Sequence, residues 1–398
     1  MAIRVTQNQL FQGTAQAMQS QQRDLQRVQE KTLTGNRTNR PSDDPTGTFR
    51  HLLYSSDLDG VASLKKTTDF ASQRMRLADA NLEEMHTRML SAQDLVLRLG
   101  NDFAGGDPSI LTAASEEAVG IYQDLFKAMN QELDGVPVFG GARTRSPFTE
   151  SRLTTTPVLR RTGNLDTMHE AANVLVAEVT EEHGLTDIPL SVKLTYEDLQ
   201  GTWTVDVNGQ KREDLKATGT PPKLDLGGGL TVTVLATPTD RSDAYFFEVV
   251  PKYQGSGEDR AVKSLNGRVM LGNVTGAEVI EGEGFGRDIN IFGVLAGMRG
   301  ALLRHDNREL AARLTQVQEC RAQLADMQSL TGIRNTQVDA VNHTLQLDET
   351  TLSGVKATNV EADLFAVLTD LEKTTQAMQV MSTSQRQILN TSLLDFLR

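Results

Sequence analysis

The sequence predicts an α+β multidomain chain, with a long α-helical coiled-coil or bundle stem built from both termini and an inserted, mostly β (α+β) middle domain. Three observations predict it. Seven-residue apolar periods run through both ends of the 398-residue chain. A period of two replaces them between about residues 150 and 287. Glycine and turn residues crowd that middle stretch, while the flanking segments hold few prolines.

Phe11, Met18 and Leu25 recur every seven residues within a proline-free run from Leu10 to Lys31, which reads as one helix. Its seam is thin, because intervening contact positions fall on Gln21 and Gln22. Such a helix cannot bury enough apolar surface to fold alone. The stretch Arg40, Pro41, Ser42, Asp43, Asp44, Pro45 follows. Its prolines fix φ and disfavour helix at the residue before, and Ser42, Asp43 and Asp44 can accept from the first amides of a new helix. The adjacent carboxylates therefore read as a rigid turn with a helix cap, not as an acid-base pair.

A second helix has a full seam: Met75, Leu82, Met89 and Val96 lie seven apart, and Ala78, Met85, Ala92 and Leu99 follow three behind each. After a turn at Gly105-Gly106-Asp107-Pro108, the spacing Leu111, Ala114, Ala118, Ile121, Leu125, Ala128 gives a third helix, capped by Ser109 or Asp107. Leu303, Leu310, Val317, Leu324, Thr331, Val338, Leu345 and Leu352 predict one helix roughly 75 Å long. Its other contact row falls on Arg321, Gln328 and Asn335, so it is expected to pack in a bundle. A last helix runs from about Val360 to Leu397, with Leu364, Leu371, Met378, Met381 and Ile388 on one side.

In the middle, Thr202 to Val207 is a strand entering a type I′ turn at Asn208-Gly209. Leu230 to Leu235 and Tyr245 to Val250 are further strands, and a helix is expected near Asp166 to Thr180. The resulting division is 1–45 and 355–398 as terminal helices, 46–149 and 287–354 as a helical bundle, and 150–286 as an outward-facing β-rich insertion. Because every long apolar period lies outside it, the insertion is expected to be dispensable for the stem's packing.

Little in the chain carries chemistry. With 40 Lys+Arg against 52 Asp+Glu the formal net charge is -12, which argues against nucleic acid. No run approaches the roughly 18 apolar residues of a membrane span, and the start lacks the apolar core of a secretory signal. Those rules alone predict a cytoplasmic protein. Cys320 is the one cysteine, which excludes an intramolecular disulfide and suits a small packed or surface residue. His169-Glu170 begins like the zinc motif H-E-x-x-H but lacks the second histidine. In Gly282-Glu283-Gly284-Phe285-Gly286 the third glycine of a dinucleotide loop would fall on Arg287, so the segment reads as a hinge; Gly227-Gly228-Gly229 reads as a turn. The expectation is no catalytic, cofactor-binding or metal-binding residue, no cofactor, and no enzyme activity.

Two stretches carry a resemblance. Leu33-Thr34-Gly35-Asn36-Arg37-Thr38-Asn39 followed by Arg40 to Pro45 is similar to the segment of the flagellin family in which a helix ends at S-G-x-R-I-N before P-S-D-D-P. Thr34 and Thr38 depart from that wording. Asn359-Val360-Glu361-Ala362-Asp363-Leu364-Phe365-Ala366 resembles the family's C-terminal N-[IV]-E-x-x-D-x-A pattern with one residue missing, and Ser392-Leu393-Leu394-Asp395-Phe396-Leu397 resembles its tail. The P-S-D-D-P wording, that tail and Val138-Phe139-Gly140-Gly141-Ala142-Arg143-Thr144 are similar to the branch of the family that joins hook to filament.

The resemblance covers the two helical arms. It implies an assembly interface on the terminal helices at Phe11, Met18, Leu25, Leu364, Leu371, Met378, Met381, Ile388, Leu393, Leu394 and Phe396. It implies export through the flagellar type III channel without a cleaved signal, and hence an extracellular place in the flagellum. Implied partners are hook-associated protein 1, flagellin, an export chaperone on the C-terminal helix and further copies of the chain in a helical ring. The alternative within the family is a filament flagellin.

Overall fold

The computed structural model describes the chain except residues 1, 38, 41, 43, 103–107, 163–167, 172, 182, 186, 198–201, 237, 239–242, 259, 264–266, 268, 285, 287–288 and 397–398. The helices are α1 (Ala2–Thr34), α2 (Pro45–Asp102), α3 (Pro108–Met129), α4 (Ile291–Leu303), α5 (Asn307–Val360) and α6 (Leu364–Phe396). Between α3 and α4 lie short strands β1 (Glu132–Leu133), β2 (Val136–Pro137), β3 (Leu153–Thr155), β4 (Leu159–Arg161), β5 (Met168–Glu170) and β6 (Leu175–Val179). The longer β7 (Leu190–Glu197), β8 (Thr202–Val207), β9 (Gln210–Lys216), β10 (Lys223–Gly227), β11 (Leu230–Val234) and β12 (Ala244–Pro251) follow, then β13 (Ala261–Lys263), β14 (Val269–Leu271) and a π-helical turn at Ala277–Glu281. Long helices at both ends flank antiparallel sheets, the α+β arrangement that the periods predict.

The chain forms two compact units, Met1–Lys66 with His343–Arg398, and Thr67–Asn342. In the second, the apolar periods become the core. Every residue of the α2 double seam from Met75 to Leu99 is buried, as are Leu111, Ala114, Ala118, Ile121, Leu125 and Ala128 of α3 and Leu310, Val317 and Leu324 of α5. Cys320 lies in the same core, and burial pushes its thiol pKa far up, so it packs as a small apolar residue. Phe292 of α4 closes the cluster, its ring edge-on to Tyr122 at 5.3 Å and to Phe148 at 5.2 Å.

The strands form a seven-stranded antiparallel sheet in the order β5-β4-β12-β7-β8-β9, with β3 also on β12, and a three-stranded sheet β10-β11-β6. β12 is buried along its whole length because both its faces are covered. Tyr245, Phe247 and Val249 join Trp203, Leu194 and Val232 in the core of the sheets, while Val250 on the opposite face joins the helical core. The turn at Asn208-Gly209 has φ of 48° and 81°, and Val207 pairs with Gln210 across it, which is the two-residue hairpin expected.

Two expectations need correction. Asp166 to Thr180 is not helical where described: β5 pairs with β4, and β6 pairs with β11 through all five of its residues. Leu175 and Ala177 point inward while Val176 and Glu178 alternate outward, so sheet pairing overrides the local helical composition. His169 and Glu170 consequently sit exposed on a strand. The long C-terminal period is also broken. α4 ends at Leu303, His305 takes a left-handed φ of 54°, and the Asp306 carboxylate accepts from the Glu309 amide at 3.0 Å to start α5. Of the cap candidates of α3, Asp107 and the preceding glycines lie outside the described residues, and Ser109 falls inside the helix.

The insertion is also not a detachable layer. All but one of the 13 residues of α4 are buried, against α3 on one side and β7 and β12 on the other. Charged side chains complete the joint. Arg313 of α5 pairs with Glu248 of β12, both almost fully buried, and lies 3.6 Å from Glu309. Arg304 contacts Glu309 at 2.5 Å and Asp206 of β8 at 3.8 Å. Asp306 receives Arg161 of β4 at 3.1 Å and Lys193 of β7 at 2.7 Å. Removing residues 150–286 would take away the partners of Arg313 and Asp306 and uncover the face of α4 that packs on β7 and β12, so the insertion is a packed part of this unit.

Two tests follow from this joint. A Cβ on Gly300 would fall 2.4 Å from Cβ and Oγ of Ser191, itself fully buried on β7. Gly300→Ala should therefore destabilise by about 1–3 kcal/mol, although alanine gains about 1 kcal/mol in a helix interior; a urea midpoint equal to or above wild type would contradict this. For Asp306, burial pushes the carboxyl pKa up, but Arg161, Lys193 and the Glu309 amide outweigh it and hold it well below the usual carboxylate range. A depressed folded pKa contributes stability that is present above the unfolded value of about 3.9 and is lost as pH falls toward the folded one. Asp306→Asn should thus be less stable at neutral pH and lose less on acidification below about pH 4, read from urea midpoints between pH 2 and 6.

Candidate assembly surface

The unit of Met1–Lys66 and His343–Arg398 is built differently. α1 and α6 pack together, and the end of one is tied to the start of the other. Gly35, at φ 69°, closes α1, and its carbonyl accepts from the Ala362 amide at 2.9 Å, beside an antiparallel bridge between Asn36 and Glu361. Asp363 then caps α6, accepting from Phe365 N at 3.0 Å. Toward the other helices of this unit, Lys65 of α2 meets Glu349 of α5 at 2.8 Å.

The turn between α1 and α2 is held by polar contacts. Asp44 is the residue before α2; its Oδ1 accepts from Gly47 N at 2.9 Å and its carbonyl from Thr48 N at 3.0 Å. Pro45 occupies the first helical position, where its missing N–H costs nothing. The Gly47 amide, followed by the charge of Arg37 at 3.6 Å, lowers the Asp44 pKa. Arg40 donates to Glu30 at 2.8 Å. Ser42 is exposed, and Pro41 and Asp43 lie outside the described residues. Arg27, Lys31, Arg37, Arg40, Glu30, Asn39 and Asp44 line a hollow of about 460 Å³, within which Arg40 pairs with Glu30 and Arg37 with Asp44.

The apolar residues of the two helices are only partly covered. Met18 and Leu25 on α1, and Leu371, Met378 and Met381 on α6, are half-buried; Val367 is buried, and Leu364 is 56% exposed. The structure thus brings the two helices together but leaves their seams incomplete. The side chains of Phe11, Ile388, Leu393, Leu394 and Phe396 lie outside the described residues. Other large apolar side chains were not anticipated: Leu33 is 86% and Phe365 85% exposed, and Phe49, Leu52 and Leu53 stand open on α2. The last three sit at i, i+3 and i+4, a helical stripe that the sequence already displays. Exposed apolar area of this extent makes this unit the candidate interaction surface among the described residues.

Comparisons with known proteins give the following similarities. Residues 5–131 match the family model of the bacterial flagellin N-terminal helical region. Flagellar hook-associated protein 3 of Salmonella typhimurium is 22% identical over 151 residues, 37% of this chain and 47% of that protein. The chain thus spans about half the length of this curated relative. A solved putative flagellar hook-associated protein from Vibrio parahaemolyticus aligns at a TM-score of 0.47 with 12% identity, covering 80% of this chain and all of the other. Hook-associated protein 3 from Legionella pneumophila aligns at 0.37 with 11% identity, covering 77% and 98%.

Residues 5–131 thus carry the bacterial flagellin N-terminal helical region. The chain is similar to flagellar hook-associated protein 3.

The half-covered seam yields a test. Replacing Leu371, Met378 and Met381 together with Asp should abolish co-sedimentation of the chain with isolated flagella, because charge would be buried against a neighbour. The melting of the Thr67–Asn342 unit should not change. Retained co-sedimentation would show that α6 does not form the interface.

Proposed function

We propose that this chain is a structural, non-enzymatic subunit of the bacterial flagellum that joins the hook to the filament. The observation that carries this reading is the contrast between the two units. One has a closed core; the other pairs two 33-residue helices, α1 and α6, whose apolar stripes are half open. Long helices with partly covered seams are stabilised by neighbours. Hook-associated protein 1, flagellin, an export chaperone and further copies of the chain are the partners proposed, by similarity to the relatives above. Residues 1–45 and 355–398 would form the inner layer of the assembly and residues 150–286 would face outward, outside the cell, after type III export without a cleaved signal. Nucleic acid is not among the partners, given the net charge of -12. Among the described residues no helix is long and apolar enough to cross a membrane.

Filament flagellin is the alternative, supported by the match over residues 5–131, which names flagellin itself. One experiment separates the two. In a strain lacking its own junction protein, expression of this chain should retain flagellin on the cells as filaments, and labelled protein should sit at hook tips in electron micrographs. Flagellin shed into the medium as monomer would defeat the junction reading. Long filaments formed by the purified chain alone would favour the alternative.

A further inference from the structure

The tip of the β8–β9 hairpin is an asparagine followed by a glycine, Asn208-Gly209. With no Cβ on the second residue, its backbone nitrogen is the least hindered of any for attack on the preceding side chain. The chemistry needs no enzyme. The Gly209 nitrogen adds to Asn208 Cγ and loses its proton, the side-chain amide leaves as ammonia, and the succinimide ring takes up one water to give aspartate or isoaspartate. The sequence holds a second such pair, Asn266-Gly267, whose asparagine lies outside the described residues.

In the folded chain both reacting groups at the tip are bound to other partners. Gly209 N, the nucleophile, donates to Oδ1 of Asp206 at 2.8 Å. Asn208 Oδ1 accepts from Ser191 N at 2.9 Å, and Asn208 N donates to Ser191 O at 3.1 Å, so residue 208 is tied to β7 twice. These partners are themselves fixed. Ser191 is fully buried and Asp206 nearly so, and Arg304 donates to Ser191 O at 3.2 Å and lies 3.8 Å from Asp206. A Cβ on Gly209 would come within 3.2 Å of Leu303 O, which places the tip against the end of α4. Ring closure therefore requires the bonds to Ser191 and Asp206 to break together, and buried hydrogen-bonded groups are released only in an open state.

The product does not fit the place that the asparagine leaves. Asn208 Nδ2 lies 3.5 Å from Asp187 Oδ2 and 3.5 Å from Pro189 O. Aspartate would turn an oxygen toward that carboxylate and that carbonyl, where the asparagine offers a donor. Isoaspartate lengthens the backbone of a two-residue turn by one carbon, against an α4 end that has no room for a Cβ without a shift.

We propose that Asn208 is a latent deamidation site: the joint of the hairpin with β7 and α4 blocks succinimide formation in the folded chain, and a chain deamidated while unfolded cannot rebuild that joint.

The test follows Asn208 in the full chain by peptide mass spectrometry, as a gain of about 1 Da, at about 37 °C and mildly alkaline pH, with and without guanidinium chloride. Because the reaction follows the population of open chain, the half-life at Asn208 should be at least about tenfold longer in buffer than in denaturant. Asp206→Ala frees the Gly209 nitrogen. It should shorten the half-life in buffer several-fold and leave that in denaturant unchanged. Leu324→Ala, in the helical core, is the control for general destabilisation, and at equal stability it should accelerate the reaction less than Asp206→Ala. For the product, an Asn266→Gln chain deamidated in denaturant and returned to buffer should unfold at a lower urea concentration than the same chain before deamidation. Equal half-lives in buffer and denaturant, or equal acceleration by the two alanine variants, overturn the block by the joint. An unchanged urea midpoint after deamidation overturns the claim that the joint is lost.

Discussion

Arg313 reaches from α5 past the backbone of α4 to Glu248 on β12, and the arrangement of the larger unit depends on that reach. A Cβ on Gly297 would lie 2.2 Å from the guanidinium carbon, so the helix must be bare there for the pair to form. Breaking such a pair by removing one partner leaves an uncompensated buried charge, at a cost of about 3–5 kcal/mol. The same joint repeats on either side. Arg304 with Glu309 and Asp206, and Asp306 with Arg161 and Lys193, fix the start of α5 against three different strands. A sheet that could slide on apolar contacts alone is held at one register by groups that must meet their opposite charges.

How much of this could be read beforehand depended on the kind of constraint. Sustained apolar repetition was legible: the α2 seam from Met75 to Leu99 is buried at every position read from it, and Leu310, Val317, Leu324, Val338 and Leu345 are buried along α5. β8, β11 and β12 were legible for the same reason, since β-branched and aromatic runs bounded by turn residues have few other solutions. β5 and β6 were not, because what makes Met168–Glu170 and Leu175–Val179 strands is a partner strand far away in sequence. The break at His305 escaped because the seven-residue count continues across it; only the cap formed by Asp306 reveals where α5 begins. The joint of sheet and helices was invisible, since it is made of arginines and carboxylates that sequence reading assigns to solvent.

The candidate site was legible in a similar proportion. The pairing of α1 with α6 follows from thin seams at the two ends that each require a partner. What periodicity overlooked is that the largest open apolar groups fall where helices begin or end: Leu33 near the end of α1, Phe49 at the start of α2, and Leu364 and Phe365 at the start of α6. A seven-residue count needs several turns to become visible, whereas a terminus offers one. Short stripes such as Phe49, Leu52 and Leu53 carry the signal at i, i+3 and i+4, and require a five-residue window to be seen.

The two units therefore solve opposite problems with the same helices. α2 contributes a closed two-row seam and α5 a closed single row between Thr67 and Asn342, where Met75, Leu82, Val317 and Leu324 are fully buried. α1 and α6 contribute thin seams, with glutamine at contact positions and their methionines half covered. A fuller apolar stripe on α1 and α6 would bind a neighbour more tightly, yet it would also leave the unassembled chain with a continuous exposed patch of the kind that drives nonspecific association. Charge works in the same direction. Residues 1–50 hold seven Lys+Arg and four Asp+Glu, while residues 343–398 hold four and seven. Opposite balances on the two arms favour their pairing with each other over self-pairing of either arm, because like charges brought together on matching faces repel. Thin seams and segregated charge thus leave the terminal helices packed on each other with their apolar stripes partly open, while the Thr67–Asn342 unit closes a core of its own.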